Sequence, residues 1–137
     1  MDLTEILWPG LKEEKTYPVV DEQTAIHVGS GATRVLATPW MIAFMERVSH
    51  GLLADRLPEG YSSVGVWINV RHLAPTPVGG TVRVISEIQE IDGLRVSFSV
   101  EAWDEQEKVG EGVHQRMVID EARFLRRVMA KRESLKL

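Results

Sequence analysis

Residues 38–58, TPWMIAFMERVSHGLLADRLP, carry the reading that decides the fold. Thr38-Pro39 has the form of a helix start: threonine is a good N-cap, and proline at the first helical position gives up an N–H that has no partner there. Met41, Met45, Val48 and Leu52 then recur at helical spacing, and Ile42, Phe44 and Leu53 widen the apolar stripe. The pattern predicts a helix from Pro39 to Leu57, ended by Pro58 and turned by Glu59-Gly60. Glu46, Arg47, His50, Asp55 and Arg56 interrupt it, so it is not a membrane span. A stripe this wide asks for cover on most of its circumference.

Downstream of the helix the period changes from 3.6 to 2. Val64, Val66, Ile68, Val70 and His72 share one side of a strand-like run, closed by Pro75, Pro77, Gly79 and Gly80. Thr81 to Ile91 places Val82, Val84 and Ile88 together, and Asp92-Gly93 is a two-residue hairpin signal. Leu94, Val96, Phe98 and Val100 alternate with Arg95, Ser97, Ser99 and Glu101. A polar turn at 104–107 leads to a last strand with Val109, Val113, Met117 and Ile119 facing in, and Asp120 caps a closing helix. Upstream, Glu13 to Val28 reads as an extended entry, followed by Gly29-Ser30-Gly31 as a mobile segment. One buried helix covering an antiparallel meander is an α+β architecture. The free edge of so small a sheet is expected to be protected by pairing with a second copy.

The 137 residues suit one domain, 1–137, with one core. Hydrophobic residues make up 44% and charged residues 26%, the balance of a soluble globular chain. A formal charge of −4 argues against a nucleic-acid partner, which favours a basic surface. Cysteine is absent, which removes disulfides, a thiol nucleophile and Cys-ligated zinc. Residues 1–11 carry Asp2 and Glu5 and lack the pattern of a secretory signal, so a cytoplasmic location is expected, with no membrane partner.

Two residues are out of place in this pattern. Glu46 lies among apolar helix positions, where an unpaired carboxylate costs several kcal/mol, so it is paired, protonated or functional. A boundary glutamate paired with Arg47 or His50 is the plain alternative. His72 falls on the apolar side of its strand, where an imidazole titrates near neutrality; a core histidine bonded to a carbonyl is the alternative there. Thr38 is explained by capping alone, although a helix N-terminus also offers free N–H groups and positive potential to an oxyanion. Glu46 and His50 sit at i, i+4, but no third ligand accompanies them and no metal is expected. His27 and His114 read as surface or structural. The basic closing helix, with Arg123, Arg126, Arg127, Lys131, Arg132 and Lys136, reads as a solvated face, with contact to the phosphates of a coenzyme as the alternative.

The segments Ala37-Thr38-Pro39-Trp40-Met41, Met45-Glu46, Gly65, Val70-Arg71-His72-Leu73-Ala74-Pro75 and Gly112-Val113-His114-Gln115-Arg116 resemble, in order, the fluoroacetyl-CoA thioesterase-like branch of the hotdog superfamily. The resemblance runs from about Thr16 to Phe124. It implies a hotdog fold, a homodimer or dimer of dimers with sites at its interface, and hydrolysis of a small acyl-CoA thioester with no cofactor beyond the coenzyme A of the substrate. Carried over by position, Thr38, Glu46 and His72 are the catalytic set, and Gly65 and Arg116 line or brace the site. Gly29-Ser30-Gly31-Ala32 stands where the fluoroacetyl-selective pattern places phenylalanines, so an aromatic lid is missing. Thr38 and Glu46 are roughly 12 Å apart along one helix at 1.5 Å per residue, so either the site is shared between subunits or one of the two acts indirectly.

Two other readings compete. A hotdog hydratase or dehydratase also uses a helix carboxylate and a histidine, but places the histidine before the central helix, where only His27 is available. A non-catalytic acyl-CoA-binding module would tolerate loss of Glu46. The residues do not distinguish the acyl group, coenzyme A from acyl carrier protein, or attack by Glu46 from activation of water.

Overall fold

The computed structural model describes residues 1–137. Five strands, β1 (Lys12–Pro18), β2 (Tyr61–His72), β3 (Thr81–Asp92), β4 (Arg95–Trp103) and β5 (Lys108–Asp120), form one sheet in the order β1-β3-β4-β5-β2. Every neighbouring pair is antiparallel. Three helices accompany it: α1 (Ala25–Val28), α2 (Thr38–Ala54) and α3 (Glu121–Ser134). No helix is long and apolar enough to cross a membrane.

Helix α2 lies across one side of the sheet. Met41, Phe44, Met45, Val48, Leu52 and Leu53 are sealed against Val82, Val84 and Ile88 of β3, Val96, Phe98, Val100 and Ala102 of β4, and Val118 of β5. Each such side chain contributes about 1.5–3 kcal/mol through removal from water. Tyr17 stacks on Phe44 with centroids 4.2 Å apart, which extends the core to β1. The helix packs tightly at Gly110, where a Cβ would stand 2.4 Å from the Met41 sulfur. Ser49 and Ser86, both buried, satisfy each other at 2.7 Å. The expected α+β arrangement holds, with Phe98 inside.

Several local expectations fail, each for a definable reason. Residues 21–23 and 25–28 are not extended: the first form a 3-10 turn, the extended Thr24 then caps α1 by accepting from the His27 N–H, and Gly29 ends the helix in the left-handed conformation, φ 87°. The 29–31 segment is thus a helix C-cap turn. The β3–β4 turn is Gly93-Leu94, one residue later than read, because Asp92 pairs with Arg95; Leu94 is therefore exposed. Helix α2 begins at Thr38 with Ala37 as its N-cap, and it ends at Ala54. Thr38 does not cap the helix.

Two bulges change which residues face α2. In β2 the register slips between Gly65 and Trp67, leaving Val66 without a partner and 48% exposed. Ser63 and Gly65 therefore face α2 upstream of the bulge, while Ile68, Val70 and His72 remain on that side downstream. In β5 the slip against β4 falls at Val109, so Val109 and Gly110 are both buried. From there His114, Arg116 and Val118 turn inward and Val113 outward, the reverse of strict alternation. Asp120 caps α3 as expected, accepting from the Arg123 N–H, and no residue of α3 is buried.

Candidate active site

Two clusters of polar side chains open on the α2 side of the sheet, one at each end of β2. The first joins the start of α2 to the end of β2. Thr38 Oγ1 and His72 Nδ1 are hydrogen-bonded at 2.7 Å. Because Ala37 is the N-cap, the threonine hydroxyl is free for this bond. His72 Nε2 is buried and has no partner in the chain. The Thr38 amide also lacks one, as the first amide of α2 with no carbonyl a turn earlier in the helix to receive it, whereas Trp40 and Met41 donate to the Ala37 carbonyl. A cavity of about 350 Å³ surrounds these groups, bordered by Ser30, Val35 and Leu73 among others. The glycine-rich segment before α2 therefore borders the cavity, with Ser30 in its wall.

The second cluster centres on Gly65. Glu46 of α2 reaches over it, and a Cβ built on Gly65 would lie 2.9 Å from Glu46 Oε2, 3.3 Å from His114 Cε1 and 3.4 Å from Arg116 Nη1. Only a residue without a side chain lets these three groups meet. Arg116, itself 6% exposed, donates from Nε to Ser63 Oγ at 2.8 Å and from Nη2 to the Ser63 carbonyl at 3.0 Å. Its Nη1 stands 3.8 Å from Glu46 Oε2, long for an ion pair. The Glu46 side chain is 44% exposed, so the expectation of a carboxylate buried deep in the helix packing is corrected. The missing side chain at Gly65 leaves it open to solvent beside the sheet edge.

His114, read from the sequence as surface or structural, is 1% exposed and belongs to this second cluster. The signal that would have found it is the slip at Val109; strict alternation places it outside. Burial holds the His72 imidazole below the usual histidine value. It does the same for His114, with the nearby Arg116 charge adding to the effect and the Trp67 carbonyl opposing it.

The depressed values set the sign of a pH effect. As pH falls below about 6.5, the unfolded chain takes up these protons before the folded one, so acid destabilises the fold. Stability is expected to rise with pH through that window and to level above it. Thermal melts between about pH 5 and 7.5 check this. His114→Gln should show a shallower slope; an unchanged slope in that variant would exclude His114 as a source.

Gly65→Ala tests the close approach. The new methyl meets side chains rather than backbone, displacing the half-exposed Glu46 carboxylate and pressing on His114 Cε1 and Arg116 Nη1 by a few tenths of an ångström, so a stability cost of about 1 kcal/mol is expected. The carboxylate must move, and turnover should fall about tenfold or more, the scale of a small misplacement. Retained turnover with retained stability would mean that the Glu46 position seen here does not matter.

The sequence model described as fluoroacetyl-CoA-specific thioesterase matches residues 19–122. The fluoroacetyl-CoA thioesterase of Streptantibioticus cattleyicolor is 38% identical over 97 residues, 71% of this chain and 70% of that enzyme. A solved fluoroacetyl-CoA thioesterase structure aligns with TM-score 0.86 at 31% identity, covering 91% of this chain and 97% of its own. A hot-dog-like protein from Thermanaerovibrio acidaminovorans aligns with TM-score 0.89 at 27% identity, over 96% and 97% of the two chains.

Proposed function

The chain belongs to the fluoroacetyl-CoA-specific thioesterase family, a family of acyl-CoA thioester hydrolases, and on that premise we propose that Glu46, His72 and Thr38 carry the hydrolysis at a site shared by two subunits. The observation that carries this reading is the separation of the two clusters. Thr38 and His72 border one cavity; Glu46, Gly65 and His114 border another. Each holds part of what thioester hydrolysis needs. Glu46 supplies the nucleophile or the base that activates water. With the His72 proton on Nδ1 and donated to Thr38 Oγ1, the unpartnered Nε2 orients that water and the Thr38 amide and hydroxyl both donate to the oxyanion. With the proton on Nε2, His72 protonates the departing thiolate, the Thr38 hydroxyl donates to Nδ1, and the Thr38 amide alone serves the oxyanion.

The sheet edges favour a particular assembly. β1 guards its edge with Lys12, Glu13, Glu14, Lys15 and Pro18, whereas β2 has no charged residue from Tyr61 to Val70 and exposes Val66 and Trp67. Antiparallel pairing of β2 with its own copy sets the Gly65 half of one strand beside the His72 half of the other. One protomer then contributes Glu46 and its partner contributes Thr38 and His72. Gly65 and Arg116 brace the carboxylate side.

The substrate is a small acyl-CoA. Ser30, in the Gly29–Ala32 segment, borders the His72 cavity with no aromatic ring over it. Acyl-chain discrimination is therefore expected to be weak, with fluoroacetyl and acetyl thioesters cleaved at similar kcat/KM. A thiol-release screen over fluoroacetyl-, acetyl-, branched and longer acyl-CoAs tests this. Failure to cleave any of them would overturn the hydrolase reading for these substrates, and strong fluoroacetyl preference would overturn the lid argument alone.

A further inference from the structure

The Gly65 cluster contains one buried titratable group that the reaction does not use. His114 Nδ1 lies 2.8 Å from the Trp67 carbonyl, and its Nε2 lies 3.2 Å from Arg116 Nη1. A carbonyl only accepts, so Nδ1 carries the proton. A guanidinium only donates, so Nε2 is bare and accepts. The two partners together select one neutral tautomer, and protonating Nε2 would break the bond to Arg116.

The position of this bridge gives it a use. Trp67 immediately follows the β2 bulge, and Gly65, on the other side of that bulge, lies opposite Arg116. His114 thus ties the backbone of the bulge to the guanidinium, while Ser63 holds the Nε and Nη2 edge. With three directions fixed, Nη1 is left facing Glu46. The Phe98 ring of β4 lies beside the imidazole, 6.2 Å between centroids, and the Glu46 carboxylate of α2 shares with it the space over Gly65. Phe98 provides no alternative hydrogen bond.

We propose that His114 is a positioning residue that, as its Nδ1–H tautomer, holds Arg116 between Ser63 and Gly65 and thereby sets where Glu46 places its carboxylate. This rests on Glu46 acting in the reaction, and the test separates the two claims. Glutamine and asparagine divide the two bonds of the imidazole. In His114→Gln the amide oxygen reaches the Nε2 position and still accepts from Arg116. In His114→Asn the amide nitrogen still serves the Trp67 carbonyl but stops short of Arg116.

The experiment measures kcat and KM for acetyl-CoA hydrolysis in both variants, in Arg116→Ala, in His114→Asn/Arg116→Ala and in Glu46→Gln, with a thermal melt on each. His114→Gln is expected within about threefold of wild type in kcat, and His114→Asn about 10- to 100-fold down with KM little changed. The double variant should lose no more than Arg116→Ala alone, because the histidine acts through the arginine. Additive losses, or glutamine and asparagine equally impaired, would overturn the proposal. A second measurement does not depend on turnover: imidazole nitrogen shifts of the wild-type protein by NMR should show His114 neutral and protonated on Nδ1 at neutral pH. An Nε2–H tautomer or an imidazolium would also overturn it. If Glu46→Gln alone keeps wild-type activity, the catalytic assignment falls, while the shifts still decide the tautomer.

Discussion

Glu46→Gln is expected to fold with an unchanged melting temperature and to lose at least ~10²-fold in kcat, the low end for a positioned acid, base or nucleophile. The structure explains why the two quantities separate. The Glu46 side chain is 44% exposed, and its approach to Arg116 is long at 3.8 Å, so the contact adds at most ~1 kcal/mol to stability. Arg116 keeps both bonds to Ser63 and its bond to His114 when the carboxylate becomes an amide. Shape is preserved and only the anion is lost. His72→Ala should reduce kcat on a similar scale, with the double variant little worse than either single one, because parts acting on one reaction step are not additive. Thr38→Val should cost less. Its loss can be assigned to chemistry, since Ala37 rather than Thr38 is the N-cap and the threonine hydroxyl faces His72. Wild-type rates in a well-folded Glu46→Gln variant would remove the mechanism and favour a binding module.

Mixing two inactive proteins is expected to restore activity. When Glu46→Gln and His72→Ala subunits are co-refolded in equal amounts, roughly half of the dimers are mixed if pairing is random and symmetric. In each mixed dimer one site joins the two altered residues and the other joins two intact ones. Activity should therefore return to about a quarter of wild type per subunit, far above either parent. A site contained within one chain predicts no recovery, since every chain carries a lesion. Light scattering on the same samples is the necessary companion, with a dimer expected at micromolar concentration. A monomer that turns over at full rate would exclude a shared site, and with it the role proposed for the β2 edge.

The sequence was informative where periodicity was simple. The stripe from Met41 to Leu53 specified α2, and Val96, Phe98 and Val100 specified the inner side of β4, because regular alternation in a well-buried strand has one solution. Glu46 and His72 stood out as polar residues in apolar patterns, and His72 kept its place because no slip intervenes between Ile68 and the end of its strand. Thr38 was legible as a residue but not in its work: the choice of Ala37 as N-cap depends on how the chain enters the helix, through the Ala37 N–H to the Gln23 carbonyl and the Leu36 N–H to the Thr76 carbonyl.

Tertiary structure alone decided the rest of the candidate site. One unpaired residue at Val66 and another at Val109 reverse the sides of their strands, and pairing register is a property of two segments far apart in the chain. Those reversals bring Ser63, Gly65, His114 and Arg116 under Glu46, although strict alternation turns each of them away from the helix. The residue types and the α+β class follow from local patterns of burial. Which polar groups meet follows from where the sheet slips, and no local pattern records that.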